Sequence, residues 1–279
     1  MTGLSGEALH CLALHLAGRT LTEKNRRLLA AAGSFERLSP VLLSRDLAAC
    51  LARAKDVLRH VGPDAVVSFV DPDYPLLLAE IHTAPFAFFV RGNRKILGRQ
   101  KISIVGTREP SPSGRRAAHH VAAHFSAQEW VIVSGIARGI DAVAHHAALE
   151  AGGATIAVLP NGFEHLYPLE NRDIYDLARS SDRVLLLSEY HPAEKPQRYQ
   201  FVRRNRIIAG LSATTVVIEA GLRSGAMITV NHALDEGRDV AALSHASLEN
   251  NAGGEKLVAD GAADLTEIAF GSQVPERRT

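Results

Sequence analysis

Residues 131–149, VIVSGIARGIDAVAHHAAL, constrain the fold of this chain more than any other segment. An apolar, β-branched run ends at Ser134 and Gly135, and an alanine-rich segment compatible with a helix begins near Gly139. A strand, a tight glycine turn and a helix in this order predict an anion site, because the first N–H groups of a helix lack intrahelical partners and its dipole favours negative charge. Arg138 adds a positive charge beside this turn.

The same turn has a simpler interpretation. Gly135 and Gly139 either let a phosphate approach the backbone or only permit tight packing between the strand and the helix. Asp141 is a candidate cap for the first helical turn. The turn alone leaves both interpretations open.

From residue 101 onward, short apolar strands alternate with longer helical segments. Repeated βα units predict an α/β fold, namely a Rossmann-like, doubly wound, mainly parallel sheet with right-handed crossovers. The predicted strands are β-branched or wholly apolar, as is typical of strands covered on both faces: ISIVG, WVIVSG, ATIAVLP, RVLLLSE, TTVVIEA and DVAALSH.

The rest of the chain divides by its periodicity. Residues 1–62 predict a small helical N-terminal domain of the SAM or helix-hairpin-helix type, with three short helices. Residues 63–100 predict a connector that packs on the sheet domain and contains one strand, FAFFVRG. Residues 101–270 form the predicted Rossmann-like domain, and residues 271–279 form a tail.

Composition excludes several classes of protein. The net charge is +1, so any binding of nucleic acid must come from a local patch. No apolar run approaches the roughly 20 residues that span a bilayer, which predicts no membrane contact. The N-terminus lacks a signal-peptide pattern, and Cys11 and Cys50 are expected to be free thiols of a reduced compartment. We therefore expect a cytoplasmic protein.

Polar residues and glycines gather where the predicted strands end. Ligands of open α/β sheets bind outside the carboxyl ends of the strands, so these residues should converge on one edge. Four loops with such residues are more than packing alone would require. They carry Gly106, Thr107 and Arg108; Ser134, Gly135, Arg138 and Gly139; Pro160, Asn161 and Gly162; and Arg223, Ser224 and Gly225.

A basic stretch with interleaved aromatic residues follows the fourth predicted strand. KPQRYQFVRRNR, residues 195–206, contains no acidic residue, and Tyr199 and Phe201 lie among its cations. Cations that meet phosphates and aromatic faces that stack on bases suit a single strand of nucleic acid. A solvated loop and helix face is the alternative interpretation.

The sequence predicts neither a metal site nor a catalytic residue. His120 and His124 lie four residues apart, but no HExxH pattern and no nearby cysteine accompany them. Glu219 is the one carboxylate expected on the loop edge, and it keeps an enzymatic interpretation open.

Several motifs, taken in order, resemble the DNA-processing protein A family, also called DprA or Smf. The resemblance runs from about Tyr74 to Ala262. Its motifs are YPLLLAEIHTAPFAFFVRGN, IVGTREPSPSG, SGIARGIDAVAHHAAL, TIAVLPNGFEHLYPLEN, LLLSEY, RRNRIIAGLS, VVIEAGLRSGAMIT and KLVADGA.

The resemblance implies a protein that binds and protects single-stranded DNA and helps to load a RecA-type recombinase, notably in natural transformation and competence. It also implies a homodimer, no cofactor and no catalytic activity. Carried over residue by residue, the DNA- or phosphate-binding positions are Gly106, Thr107, Arg108, Ser134, Gly135, Arg138, Gly139, Phe201, Arg203, Arg204, Asn205, Arg206, Arg223, Ser224 and Gly225.

Some positions depart from the pattern of the family. Thr107 replaces a serine, Val202 stands where proline is usual, and Asn161 lies where a glycine-containing turn is expected. Glu255 replaces an asparagine and brings a negative charge near the loop edge. These departures bear on DNA affinity rather than on the fold.

A Rossmann-like enzyme that binds nucleotides or cleaves nucleoside monophosphates, such as a phosphoribohydrolase, is the alternative function. Its signature pairs an arginine with a PGGxGT turn followed by an acid. This chain has only GLRSGAMIT at that place. Release of a free base would distinguish the enzyme from the DNA-binding protein.

Overall fold

This computed structural model describes residues 4–271, and strands and helices alternate in it from residue 101 onward. The strands are β1 (Thr20–Leu21), β2 (Val66–Ser68), β3 (Ala84–Pro85), β4 (Ala87–Gly92), β5 (Lys101–Val105), β6 (Val131–Ser134), β7 (Thr155–Leu159), β8 (Val184–Ser188), β9 (Thr214–Val217), β10 (Asp239–Ala242) and β11 (Ala263–Asp264). The α-helices are α1 (Gly6–Leu16), α2 (Glu23–Ala32), α3 (Phe35–Leu43), α4 (Leu47–Val61), α5 (Leu76–Glu80), α6 (Pro112–Ala127), α7 (Ile140–Glu150), α8 (Arg172–Ser180), α9 (Arg198–Gly210), α10 (Gly225–Asp235), α11 (Ala252–Ala259) and α12 (Thr266–Phe270).

Within residues 4–271, one sheet of nine strands organises the fold, in the order β11-β10-β9-β5-β6-β7-β8-β4-β2. The strands from β11 to β8 are parallel, whereas β4 and β2 are antiparallel to their neighbours. From β5 the chain steps outward through β6, β7 and β8, and then returns to β9 on the other side of β5. The predicted Rossmann-like, mainly parallel, doubly wound sheet is therefore confirmed, with its switch point between β5 and β9.

Alternate side chains of the strands build a core on each face of this sheet. Ile102 and Ile104 pack with the buried alanines of α6 and α7. Val105 belongs to the larger core, which includes residues of α9 and α10 and reaches Leu12 and Leu14 of α1. No helix within residues 4–271 is long and apolar enough to cross a membrane.

The described residues of the N-terminal segment, 4–62, contain four α-helices where the sequence predicted three. The additional helix, α3, contains Pro40, a residue that argues against a helix interior in a sequence. Ser34 caps its first turn by accepting a hydrogen bond from the Arg37 N–H group. Gly33 ends α2 with a φ of 77°, a left-handed conformation that glycine adopts readily.

The segment 63–100, predicted as a connector with one strand, supplies two strands to the main sheet. The predicted strand is β4, which pairs antiparallel with β8 so that Phe89 lies opposite Ser188. The second strand, β2, pairs with β4. The division into separate domains stays a prediction, and the predicted tail lies outside the described residues from 272 onward.

Candidate nucleic-acid interface

A crevice of about 500 Å³ lies at the switch point, outside the carboxyl ends of β5, β6 and β9. The loop after β5, the loop after β6 and the first turns of α9 and α10 form its walls. Thr107, Arg108, Phe201, Ser224 and Gly225 are among the residues that line it. Ligands of open α/β sheets bind at this position, so the crevice is the candidate site.

The loop after β5 is anchored on both sides. The Thr107 N–H group donates to the Glu219 carbonyl oxygen at 2.8 Å, and the Thr107 carbonyl oxygen accepts from the Ile140 N–H group at 3.1 Å. The exposed Arg108 places its guanidinium carbon 5.7 Å from the centre of the Phe201 ring. A fixed loop thus holds a cation beside an aromatic face at the mouth of the crevice.

The glycines of the second loop serve packing. Gly139 has a φ of +82°, and a side chain there would overlap the backbone of Thr107 and Arg108. A side chain at Gly135 would meet the carboxylate of Asp141 and the guanidinium of Arg204. At these two positions the simpler interpretation, close packing of loop and helix, accounts for the glycine.

Gly225 differs from these glycines. It is exposed, it is the first residue of α10, and the space in the direction of a side chain is open. Ser224 precedes it, and none of the described side chains caps the first turn of the helix. The Met227 N–H group donates to the Ser224 carbonyl oxygen at 3.1 Å, whereas the N–H groups of Gly225 and Ala226 have no partner within residues 4–271 and are available to an anion.

Ser134 and Arg204 face the interior more than the sequence suggested. The buried Ser134 hydroxyl donates to the Ile104 carbonyl oxygen at 2.6 Å. Ser134 was expected to face a phosphate, but its side chain lies in the interior instead. Arg204 is 4% exposed, lines the crevice wall and donates to the Val158 carbonyl oxygen. Burial lowers the pKa of Arg204 to about 10.

Arg206 also faces the interior, in contrast to the expected phosphate contact. Its guanidinium forms a buried ion pair with Glu189, just beyond β8. His15 of α1 places Nε2 2.6 Å from the Glu189 carbonyl oxygen and donates to it, because a carbonyl oxygen only accepts. Arg203 lies 3.5 Å from the same carboxylate but keeps 42% of its side chain exposed. Arg206 therefore anchors α9, and Arg203 stays at the surface.

Asp141 and Glu219 are committed to local structure. The buried Asp141 carboxylate accepts from the Ala137 N–H group at 3.2 Å, within the loop that precedes α7, and burial raises its pKa. Glu219 is 2% exposed and accepts from the Ser111 N–H group at 2.9 Å. This contact puts a carboxylate at the N-terminus of α6, where the dipole favours it. Glu219 is thus not positioned as an acid or base toward a ligand.

Two residues that the sequence did not single out support the second loop. Asn171 donates to the carbonyl oxygens of Ile136 and Ala137 at 2.9 and 3.1 Å. His145 places Nε2 2.6 Å from the Gly135 carbonyl oxygen, and burial lowers its pKa to about 4. Their partners lie 10 to 35 residues away, so no local pattern reveals the contacts.

The histidines considered for zinc make separate contacts. His120 Nδ1 lies 2.7 Å from the Ala269 carbonyl oxygen, and His124 Nε2 lies 2.8 Å from the Gln128 amide. Within residues 4–271, no group of three histidine, cysteine or acidic side chains is arranged to hold a metal ion.

The remaining predicted residues share the carboxyl edge of the sheet. Arg108, Arg138, Arg203 and Arg223 are exposed there. The residues that the structure brings to this edge without burying them are Gly106, Thr107, Arg108, Arg138, Phe201, Arg203, Asn205, Arg223, Ser224 and Gly225.

The fold and the site together define a class, a Rossmann-like α/β protein whose switch-point crevice is bordered by arginines. The chain belongs to the DNA recombination-mediator protein A family, whose model matches residues 65–271. This result confirms the resemblance found in the sequence. The family is defined by mediation of recombination rather than by a catalysed reaction, and the expectation that the chain is not an enzyme is confirmed.

Individual relatives agree with this assignment. The chain is 40% identical to the DNA processing protein DprA of Bacillus subtilis over 208 residues, which are 73% of this chain and 69% of that protein. The X-ray structure of DprA from Streptococcus pneumoniae has a TM-score of 0.75 and 32% identity, and the match covers 95% and 96% of the two chains. A structure of DprA from Helicobacter pylori has a TM-score of 0.65 and 28% identity, and the match covers 73% of this chain and 92% of that one. That structure concerns the single-stranded DNA binding mode of the Helicobacter pylori protein.

Proposed function

We propose that this chain binds single-stranded DNA, with little preference for base sequence, along the carboxyl edge of its sheet. The pairing of Arg108 with Phe201 at the mouth of the crevice carries this proposal. A guanidinium beside an aromatic face suits a phosphate next to a stacked base. The binding mode named for the Helicobacter pylori relative supports the same ligand.

The exposed arginines set the path of the strand. Arg108, Arg138, Arg203 and Arg223 supply positive charge, and the open N-terminus of α10 at Gly225 receives one phosphate. Phe201 offers a stacking face. Contacts of this kind hold the backbone and carry little base information, so affinity should depend weakly on sequence.

We further propose that the chain acts as a mediator of recombination. A net charge of +1 gives one copy only a short positive track, and a homodimer would double the track and increase avidity. In this proposal the dimer protects the strand and helps to load a RecA-type recombinase on it, during DNA processing and natural transformation in the cytoplasm. The description of the family as a recombination mediator supports this extension.

The first experiment is fluorescence anisotropy of a labelled oligothymidylate against salt, with duplex DNA of equal length as competitor. If about four arginines each meet a phosphate, the log-log salt slope should be on the order of −3, from about −0.7 per contact. We expect Phe201→Ala to weaken binding roughly tenfold through the lost stacking face. Arg108→Ala should reduce the steepness of the slope by about 0.7.

Arg27→Ala is the matched control, because Arg27 is an exposed arginine of α2, away from the crevice. Arg206→Ala is not a suitable probe, since it would leave Glu189 buried without its partner. A salt slope near zero, or equal affinity of Arg108→Ala and the parent protein, would contradict the proposal.

A further inference from the structure

A second basic pocket, of about 430 Å³, lies beyond β8, between β4, α8 and the loop after β7. Arg91, Arg172 and Arg179 line it, together with Phe163 and Tyr175. None of these residues lines the crevice at the switch point. The pocket is therefore a separate feature of the molecular surface.

Two arginines of this pocket have no carboxylate partner in the part of the chain that the structure describes. Two acids, Asp176 and Glu164, also line the pocket, and each has another partner: Asp176 lies 3.4 Å from Arg172, the third arginine of the pocket, and Glu164 lies 2.6 Å from His60. Neither Arg91 nor Arg179 forms an ion pair within residues 4–271. Burial and then the charge of Arg179 lower the pKa of Arg91. Like charges held together beside a cavity favour an anionic occupant.

The strand β4 fixes one of these cations beside an aromatic ring. The guanidinium carbon of Arg91 lies 5.0 Å from the centre of the Phe163 ring, and its Nη1 donates to the Phe163 carbonyl oxygen at 3.4 Å. This arrangement repeats the combination of Arg108 and Phe201 in the crevice. Phe163 is 6% exposed, so its ring holds the cation in place and offers no face to a base, and the guanidinium itself suits a phosphate.

Aromatic residues connect the two sites. The Phe201 ring lies edge to face against Tyr167, with 5.6 Å between the ring centres. The Tyr175 hydroxyl, in the wall of the second pocket, donates to the Tyr167 carbonyl oxygen at 2.9 Å. Tyr167 is 45% exposed, and Leu169, which also lines the pocket, is 73% exposed. A continuous aromatic and apolar surface thus leads from the crevice to the pocket.

We infer that the pocket of Arg91 and Arg179 is a second subsite for the same single strand of DNA. The strand leaves the crevice across Tyr167 and Leu169 and places a further phosphate between the two arginines. This inference rests on the proposed function, because it extends the path of the strand that the crevice binds. It implies that affinity rises in two steps as the oligonucleotide lengthens.

The test is a length series of labelled oligothymidylates, from about 4 to about 20 nucleotides, which brackets the site sizes of single-strand-binding folds. Arg179→Gln is compared with Arg27→Gln, which removes the same charge from exposed α2. On short oligonucleotides we expect both variants to match the parent protein. On long ones, Arg179→Gln should flatten the salt slope by roughly 0.7 and Arg27→Gln should not.

A second variant, Arg91→Gln combined with Arg179→Gln, should abolish the second step in affinity while thermal unfolding reports that the fold is intact. Equal losses at every length would show that these charges act at the crevice or through the whole molecule, and would overturn the inference. Equal affinities at every length would overturn it as well. In both cases binding of short oligonucleotides by the parent protein would leave the proposed function standing, whereas no binding at any length would overturn both.

Discussion

Neighbouring arginines of one motif have opposite roles in this protein. Arg203 is exposed, whereas Arg204 and Arg206 are buried, because successive residues of α9 turn to different sides of the helix. The resemblance to the family implied that all of them contact DNA, and the run itself contains no acid that would have indicated an ion pair. The acid that pairs with Arg206 is Glu189, 17 residues earlier in the chain, and only the fold brings the two together.

His145 makes stability depend on pH. Burial lowers its pKa from 6.5 to about 4, so the folded protein holds the ring neutral while the unfolded chain accepts a proton below about pH 6.5. The stabilisation is fully present above pH 6.5 and is lost as the pH falls toward 4. The size of this loss is on the order of 3 kcal/mol.

We therefore expect His145→Gln to show a smaller loss of unfolding free energy than the parent protein between neutral pH and about pH 4. Urea denaturation at each pH measures this difference. His124→Gln is the control, because His124 is exposed on α6. The same pH dependence in His145→Gln and in the parent protein would contradict the assignment.

At the scale of elements, the strands after residue 101 could be predicted because each is an apolar run bounded by turn residues. The start of α9 could not be predicted in this way. The sequence pattern presents residues 195–206 as one basic stretch without an internal boundary, but a helix begins at Arg198, where Gln197 and Gln200 form a capping box. The helix separates two aromatic residues that the pattern grouped together, since Tyr199 is 60% exposed and Phe201 lines the crevice.

The glycine turns differ in how much an added side chain would lower the free energy of unfolding. Gly139→Ala should lower the free energy of unfolding by roughly 2 kcal/mol, because alanine is strained at positive φ and would overlap the backbone of Thr107 and Arg108. Gly225→Ala should change it by less than about 0.5 kcal/mol, because the space there is open. Urea denaturation of both variants measures the contrast, and equal destabilisation would contradict it.

At the scale of the whole molecule, the parallel part of the sheet follows from its repeated βα units, which allow few topologies. The strands that the N-terminal third adds to the sheet could not be predicted from such repeats. The strand Val66–Ser68 has only three residues, too few to show a period in the sequence. The strand β4 joins the sheet antiparallel to β8, so no crossover helix in the sequence indicates its place. The contacts of α1 are equally hidden, because Leu12 and Leu14 share a core with strands far along the chain.

The antiparallel strand β4 has a consequence for any fragment of this protein. It covers the hydrogen-bonding edge of β8, where Val90 lies opposite Leu187 and Gly92 opposite Leu185. A chain that begins at residue 101 would keep every parallel strand but would leave this apolar edge bare, and a bare edge is a template for intermolecular pairing. We expect such a fragment to aggregate under conditions in which the full chain stays dispersed, as light scattering would report, and a monomeric fragment would contradict this expectation. The N-terminal third thus protects the sheet from self-association, because its strand β4 occupies the edge of β8.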